Sequence, residues 1–262
     1  MSETDWMPAY APWAEVRATI SALRKRYRGT RLTDHLDVTL VRDGEEGYIE
    51  RTHLSSVPVP ARPSAEDAEA CIRSELSLVW GIGPARESRY RERDTPVTDL
   101  GDLLQEDRYS IAAEEILRDL EERRLEPLID LLRTRLPGRG QLLSTQLVAF
   151  ADLERTAILD FETLGLFGNV IYLAGIGRFE GGRLVVKQYL AASYDDEPAM
   201  LRRVMSELSG VDLLITYNGR TADLPWFASR AAYHRLGAIR QPAHLDLLHA
   251  CRQRYVRDLA VA

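Results

Sequence analysis

The feature that most constrains this chain is a change in the spacing of its hydrophobic residues near residues 137–140, Pro-Gly-Arg-Gly. Between residues 64 and 136, apolar residues recur at the spacing of amphipathic helices. After residue 143 they form short apolar runs and alternations that are typical of strands. We therefore predict a helical domain over 64–137, a boundary at 137–140 and an α/β domain over 143–262.

Composition and charge exclude several classes of protein. Hydrophobic residues make up 45% and charged residues 28% of the 262 residues, which argues against disorder and fibrous repeats. The formal net charge is -6, and no segment is a basic nucleic-acid-binding arm. Of the 34 basic residues only Lys25 and Lys187 are lysine. This arginine bias either suits bidentate phosphate contacts or reflects the base composition of the genome.

The sequence also predicts where the protein resides. The N-terminus carries early acids and no apolar core of a signal peptide, and no apolar run reaches the roughly 18 residues of a membrane span. Cys71 and Cys251 are too few for a disulfide framework or a cysteine-based zinc site. We expect a soluble cytoplasmic protein with no membrane contact.

Residues 1–63 are poorly defined by pattern. A possible hairpin spans residues 37–51, around the turn Asp43-Gly44, and the prolines of residues 57–63 indicate a linker. Ser64 is a suitable N-cap for a helix that continues to Gly81, and a second helix is expected over residues 85–93.

The order of elements beyond residue 143 predicts the fold. Three strands are expected near residues 156–161, 170–179 and 183–190, followed by helices that alternate with strands near 212–217 and 244–248. The order β-β-β-α-β-α-β is that of a ribonuclease H-like mixed sheet with helices on its faces, an α/β fold.

Asp160 and Glu162 are the first candidate catalytic residues. They lie two positions apart at the end of an apolar strand, so both side chains leave the same face. Two neighbouring carboxylates repel each other unless a cation neutralises them, and oxygen ligands favour Mg²⁺ or Mn²⁺. The alternative is a solvated acidic pair at a strand end.

Asp223 adds a third carboxylate, at the start of the helix that follows the fourth strand. Taken alone, it could simply be the N-cap of that helix. In a ribonuclease H-like sheet, however, the fourth strand lies beside the first. We therefore expect Asp223 to converge on Asp160 and Glu162.

Three segments together resemble a known family: Asp160-Phe-Glu-Thr-Leu-Gly-Leu, Thr216-Tyr-Asn-Gly-Arg-Thr-Ala-Asp-Leu-Pro and His244-Leu-Asp-Leu-Leu-His. They are similar to the YprB-type ribonuclease H-like domain of the DEDD (DnaQ-like) 3'-5' exonuclease superfamily, over residues 143 to about 255. The resemblance implies that Asp160, Glu162 and Asp223 bind two metal ions around a scissile phosphate. It also implies that Asn218 fixes the loop or contacts nucleic acid, and it leaves Asp246 as a further candidate metal ligand.

The family continues to a helix that bears a fourth Asp, whereas this sequence ends at Ala262. After Asp223 only Asp246 and Asp258 remain, and neither has the Tyr or His that normally precedes the fourth acid. We therefore expect a truncated domain with weak hydrolysis. The alternatives are a non-catalytic nucleic-acid-binding module and a purely structural or interaction protein on the same fold.

The segment Leu78-Val-Trp-Gly-Ile-Gly-Pro-Ala-Arg86 resembles a helix-hairpin-helix motif. Gly81 and Gly83 let a backbone approach a phosphate, and the next helix N-terminus offers free N–H groups. We expect Gly81, Gly83 and Arg86 to bind DNA or RNA independently of base sequence. The alternative is a plain corner between two helices that needs glycine for its turn.

Overall fold

The computed structural model describes residues 13–59, 61–165, 169–238 and 240–259. Contacts divide the chain into two units, residues 1–39 and 40–262. In the first unit, helix α1 (Trp13–Arg26) is followed by a short 3-10 helix at Leu32–Asp34. The last turn of α1 is basic, which stabilises the negative end of the helix dipole.

A seven-stranded sheet organises the second unit. Its strands are β1 (Thr39–Asp43), β2 (Glu46–Pro58), β3 (Thr156–Thr163), β4 (Ile171–Glu180), β5 (Arg183–Leu190), β6 (Leu213–Thr216) and β7 (Ala243–Asp246). Their order across the sheet is β1-β2-β5-β4-β3-β6-β7. From β2 to β3 the neighbours are antiparallel, whereas β6 runs parallel to β3 and β7 runs parallel to β6. The sheet is therefore mixed.

Helices pack against the sheet and bury two hydrophobic cores. They are α2 (Ala65–Arg73), α3 (Pro84–Arg91), α4 (Ser110–Glu121), α5 (Leu125–Arg135), α6 (Arg139–Ser144), α7 (Glu197–Leu208), α8 (Asp223–Tyr233) and α9 (Leu247–Leu259). Residues of α2 to α5 share one core with Leu213, Ala243 and Leu245 of β6 and β7. Residues of α7 and α8 share the other core with β3, β4 and β5. Within the described ranges, no helix is long and apolar enough to cross a membrane.

The predicted fold class is confirmed: β3, β4, β5, α7, β6, α8 and β7 follow each other in the expected order. The structure also contains the hairpin expected within residues 37–51, and its strands β1 and β2 extend the sheet beside β5. β2 continues to Pro58, which lies opposite Arg183, so the linker predicted over 57–63 begins after Pro58. Proline is tolerated there because β1 is too short to pair with this end of β2.

The helix predicted to run from Ser64 to Gly81 is shorter than expected. Ser64 caps it as predicted, because its hydroxyl accepts the N–H of Asp67. The helix ends at Arg73, and Glu75 adopts a non-helical conformation ahead of a 3-10 helix at Leu76–Leu78. Leu76 and Leu78 are both buried, so burial of these side chains outweighs the helical spacing.

The segment predicted as a domain boundary, residues 137–140, is a tight turn between α5 and α6. Gly138 has a positive φ of 92°, which favours glycine. A Cβ at Gly140 would overlap the carbonyl of Leu132, so glycine also allows the two helices to pack closely. The turn therefore lies within the compact unit 40–262.

Candidate active site

The first two acidic residues share one face of β3. Asp160 and Glu162 are exposed and alternate with buried Leu159 and Phe161. Ile158 precedes them on the same face and pairs with Ile215 of β6, which packs against the core of α2 to α5. Both acids therefore lie on the sheet face that carries these helices.

The carboxylate groups of Asp160 and Glu162 have no protein partner within the described residues: neither forms a hydrogen bond or an ion pair there. Their side chains point away from the α7–α8 core, whose members on this strand are Ala157, Leu159 and Phe161. They are thus free to bind a cation from solvent.

Asp223 reaches the same strand from α8. Its Oδ1 accepts the backbone N–H of Phe161 at 2.9 Å, between the two exposed acids. Asp223 is only 4% exposed, and the cap position of α8 is Ala222 rather than Asp223. The side chain therefore joins α8 to β3 next to Asp160 and Glu162. Convergence of all three carboxylates on one ion stays a prediction.

The electrostatics of this edge favour a positive ion. Burial raises the pKa of Asp223, and the negative charge of Asp160 raises it further, although the hydrogen bond from Phe161 acts in the opposite direction. A cation near the carboxylates would stabilise their ionised forms.

The acids do not form a closed set of metal ligands. Within the part of the chain that the structure describes, no group of three His, Cys, Asp or Glu side chains has an arrangement that could hold a metal ion. The donor chemistry nevertheless fits Mg²⁺ or Mn²⁺, because all three groups are carboxylates and two of them lack protein partners.

Asp246 is close enough to Asp223 for its negative charge to raise the pKa of Asp223, but it does not lie on the same face of the sheet as Asp160 and Glu162. It pairs with Thr216 across β6 and β7, and Leu214, two residues earlier on that face, packs in the α7–α8 core. Asp246 therefore belongs to the sheet face opposite Asp160. It is 5% exposed and lies at the end of β7.

The carboxylate of Asp246 accepts hydrogen bonds from three backbone N–H groups. Oδ1 accepts the N–H groups of Asn218 and Leu248 at 2.8 and 3.0 Å, and Oδ2 accepts that of Arg220 at 3.0 Å. Burial opposes ionisation of Asp246, but these hydrogen bonds outweigh it and lower its pKa. Its observed contacts fix the loop between β6 and α8 and the start of α9.

Asn218 organises the same loop. It has a positive φ of 66°, which Asn tolerates better than most residues. Its carbonyl accepts the N–H groups of Thr221 and Ala222, and its side-chain oxygen accepts the hydroxyl of Thr221 at 2.6 Å. In the structure Asn218 therefore shapes the turn that leads to Asp223.

The sequence places Thr216 and Gly219 in the motif before Asp223 but predicts no role for either. The hydroxyl of Thr216 accepts the N–H of Gly219 at 3.2 Å and contacts Nε2 of His244 at 2.8 Å. A Cβ at Gly219 would overlap the Thr216 side chain. The signal in the sequence is the Asn-Gly pair after a strand, which is typical of a tight turn.

Gly81, Gly83 and Arg86 lie together on one exposed turn. Gly81 has a positive φ of 90°, and Gly83 is the N-cap residue of α3. The N–H groups of Gly81, Gly83 and Ala85 have no acceptor within the described ranges. Arg86 donates to the carbonyl of Gly81 and to the hydroxyl of Tyr109, so its guanidinium holds the turn closed.

Residues 157–261 match a family model described as RNase_H superfamily. This match and the mixed sheet support an RNase H-like domain over these residues. The superfamily consists largely of hydrolytic nucleases that use divalent metals, so the match indicates nuclease-type chemistry on nucleic acid at that level. No curated protein matches the chain.

Proposed function

We propose that this chain is a divalent-metal-dependent nuclease that hydrolyses phosphodiester bonds at nucleic-acid ends, as a 3'-5' exonuclease does. The observation that carries the proposal is the hydrogen bond from Phe161 N–H to Asp223, because it joins a buried acid to the strand that bears Asp160 and Glu162. Three carboxylates on two elements of an RNase H-like domain are suited to hold Mg²⁺ or Mn²⁺.

In this proposal each acid has a distinct role. Asp160 and Glu162 bind the metal from the exposed face of β3, because their carboxylates have no partner within the described residues. Asp223 adds charge from α8 and aligns that helix with β3. The bound ion supplies neutralisation of the phosphate charge and activation of the attacking water. Asp246 and Asn218 position the loop before Asp223, and Asn218 also approaches the nucleic acid.

The turn of Gly81, Gly83 and Arg86 binds the sugar–phosphate backbone in this proposal. Its exposed N–H groups without acceptors can donate to phosphate oxygens, as the N-terminus of α3 favours. These contacts read no base, so binding is independent of sequence. α3 and the face of β3 that bears Asp160 belong to the same side of the sheet, and in this proposal one strand of nucleic acid contacts both.

A second candidate is a nucleic-acid-binding module that does not hydrolyse its ligand. It is favoured by the absence, within the described ranges, of any three-residue group that could hold a metal ion. Loss of an electrostatic contact to a transition state costs roughly 10² to 10³ in rate. Both candidates bind nucleic acid, and product formation separates them.

The test is incubation of the protein with end-labelled single- and double-stranded DNA and RNA in the presence of Mn²⁺. We expect shortened products from the parent and none from Asp160→Asn. Hydrolysis that survives Asp160→Asn refutes the assignment of the site. Binding without any product from the parent favours the second candidate, and absence of both binding and product refutes both.

A further inference from the structure

Trp80 exposes its indole at the tip of the turn that leads into α3. The side chain is 80% exposed, whereas its neighbours Val79 and Ile82 are buried at 1% and 2%. The backbone on both sides is thus anchored in the core while a large aromatic ring remains in solvent. Burial of such a ring typically contributes a few kcal/mol, so its exposure leaves free energy available for a ligand.

Arg135 of α5 fixes the backbone beneath this ring. Its guanidinium donates to the carbonyls of residues 77–79 at 3.1 to 3.3 Å. The guanidinium carbon lies 4.8 Å from the centroid of the Trp80 ring. This cation–π contact stabilises the position of the Trp80 ring. The guanidinium also adds positive charge beside the ring.

Two arginines contribute positive charge at this turn, and no acid of the described residues pairs with either. Arg86 donates to the Gly81 carbonyl and the Tyr109 hydroxyl, and Arg135 donates to the carbonyls of residues 77–79.

Elsewhere, Arg230 lies over the ring of exposed Tyr233 at 4.4 Å, but it is paired with the carboxylate of Glu197. Arg26, which also has no ion pair in the described part of the chain, lies 5.3 Å from the centroid of the Tyr27 ring, but that ring is only 41% exposed. The Trp80 turn therefore combines a more exposed ring with two arginines that have no paired acid among the described residues.

We propose that Trp80 stacks on an unpaired base at a single-stranded nucleic-acid end, while Arg86 and Arg135 attract the adjoining phosphates. The ring is suited to stack on the base of a nucleotide, and the unpaired positive charges are suited to bind its phosphate. In a duplex the faces of the bases are covered by their neighbours, so the contact requires an unpaired base. This inference rests on the nucleic-acid binding proposed above and adds a preference for frayed or single-stranded ends.

The test compares binding of two labelled single-stranded oligonucleotides of equal length, one carrying thymine bases and one fully abasic, in EDTA so that hydrolysis cannot occur. The parent should bind the thymine strand about tenfold more tightly than the abasic strand. Trp80→Ala should bind both equally, and Trp80→Phe should retain most of the preference. A blunt duplex should bind Trp80→Ala as tightly as the parent.

Tyr233→Ala is the matched control, because it removes an exposed ring whose neighbouring cation is paired with an acid. It should leave the preference for thymine unchanged. If Trp80→Ala retains the full preference, or loses duplex binding to the same extent, the stacking role is refuted. If the parent binds no nucleic acid at all, the proposed function fails instead, so the two failures are distinguishable.

Discussion

At the scale of single residues, the exposure of Glu162 makes the proposed metal site testable without loss of the fold. Glu162→Gln removes one negative charge from an exposed position, so we expect unchanged thermal stability but weaker Mn²⁺ binding by calorimetry. Glu180→Gln is the matched control, because Glu180 is exposed in the same sheet at the opposite end of β4. Equal Mn²⁺ affinity in the two variants would contradict a ligand role for Glu162.

Gly219 tests the loop before Asp223. Gly219→Ala places a Cβ against the Thr216 side chain, so we expect a loss of about 1 to 3 kcal/mol in the free energy of unfolding. Gly210→Ala is the control, since a Cβ there meets nothing within 4 Å. Denaturant titration of both variants measures the difference, and equal stability would show that the loop can relax.

At the scale of elements, a buried ion pair joins β4, α7 and α8. Glu197 is fully buried at the start of α7; its Oε1 accepts the N–H of Ile171 and Nε of Arg230, at 2.9 and 2.8 Å. His234 contacts its Oε2 at 2.7 Å. Burial opposes ionisation of Glu197, but the hydrogen bonds from Arg230 and His234 outweigh it and lower its pKa.

The lowered pKa gives a pH-dependent contribution to stability. Ionised Glu197 stabilises the fold above the ordinary value of 4.5, and this contribution is lost as pH falls through the lower folded pKa. We expect Glu197→Gln to lose about 3 to 5 kcal/mol at neutral pH, because it leaves the partly buried guanidinium of Arg230 without its charge partner.

The difference in the free energy of unfolding between the parent and Glu197→Gln should become smaller in acid. There the Glu197 carboxylate of the parent is protonated and also carries no charge. Urea unfolding of the parent, Glu197→Gln and the exposed control Glu180→Gln at several pH values measures these changes. A constant difference from neutral to acidic pH would contradict the assignment.

At the scale of the whole molecule, a net charge of -6 repels nucleic acid, so binding has to come from local contacts. Gly83→Val tests one of them. The φ of -105° at Gly83 is accessible to valine and a Cβ there meets nothing within 4 Å, so the variant should fold. We expect weaker duplex binding and unchanged Mn²⁺ affinity, because the added methyl groups lie where a phosphate would approach.

Titration of Gly83→Val over a series of salt concentrations is the measurement, with thermal unfolding as the control for folding. Binding as tight as that of the parent at every salt concentration would contradict the role of this turn. Reduced Mn²⁺ affinity in the variant would contradict the proposal that this turn binds nucleic acid without taking part in the metal site.

The sequence predicted the fold of residues 156–259 because its strands and helices carry strong local periodicity and alternate in one order. It also predicted that Asp223 would lie near the strand that bears Asp160 and Glu162, and the hydrogen bond from Phe161 to Asp223 agrees with this. Convergence of the three carboxylates on one ion stays a prediction. It could not predict the surroundings of Asp246, because the N–H groups that it binds lie on a loop and on α9. The contact between Arg135 and residues 77–79 has no local signal either, as it depends on how α5 packs.

The shared core of α2 to α5 with β6 and β7 limits how this protein can be divided. Leu213 and Leu245 are 1% and 2% exposed only because the helical residues cover them. A chimaera joined at residues 137–140 would leave an apolar surface on each half, and both surfaces would favour aggregation. The helices before the RNase H-like sheet are therefore not an exchangeable appendage, because they cover the sheet face on which Asp160 and Glu162 lie.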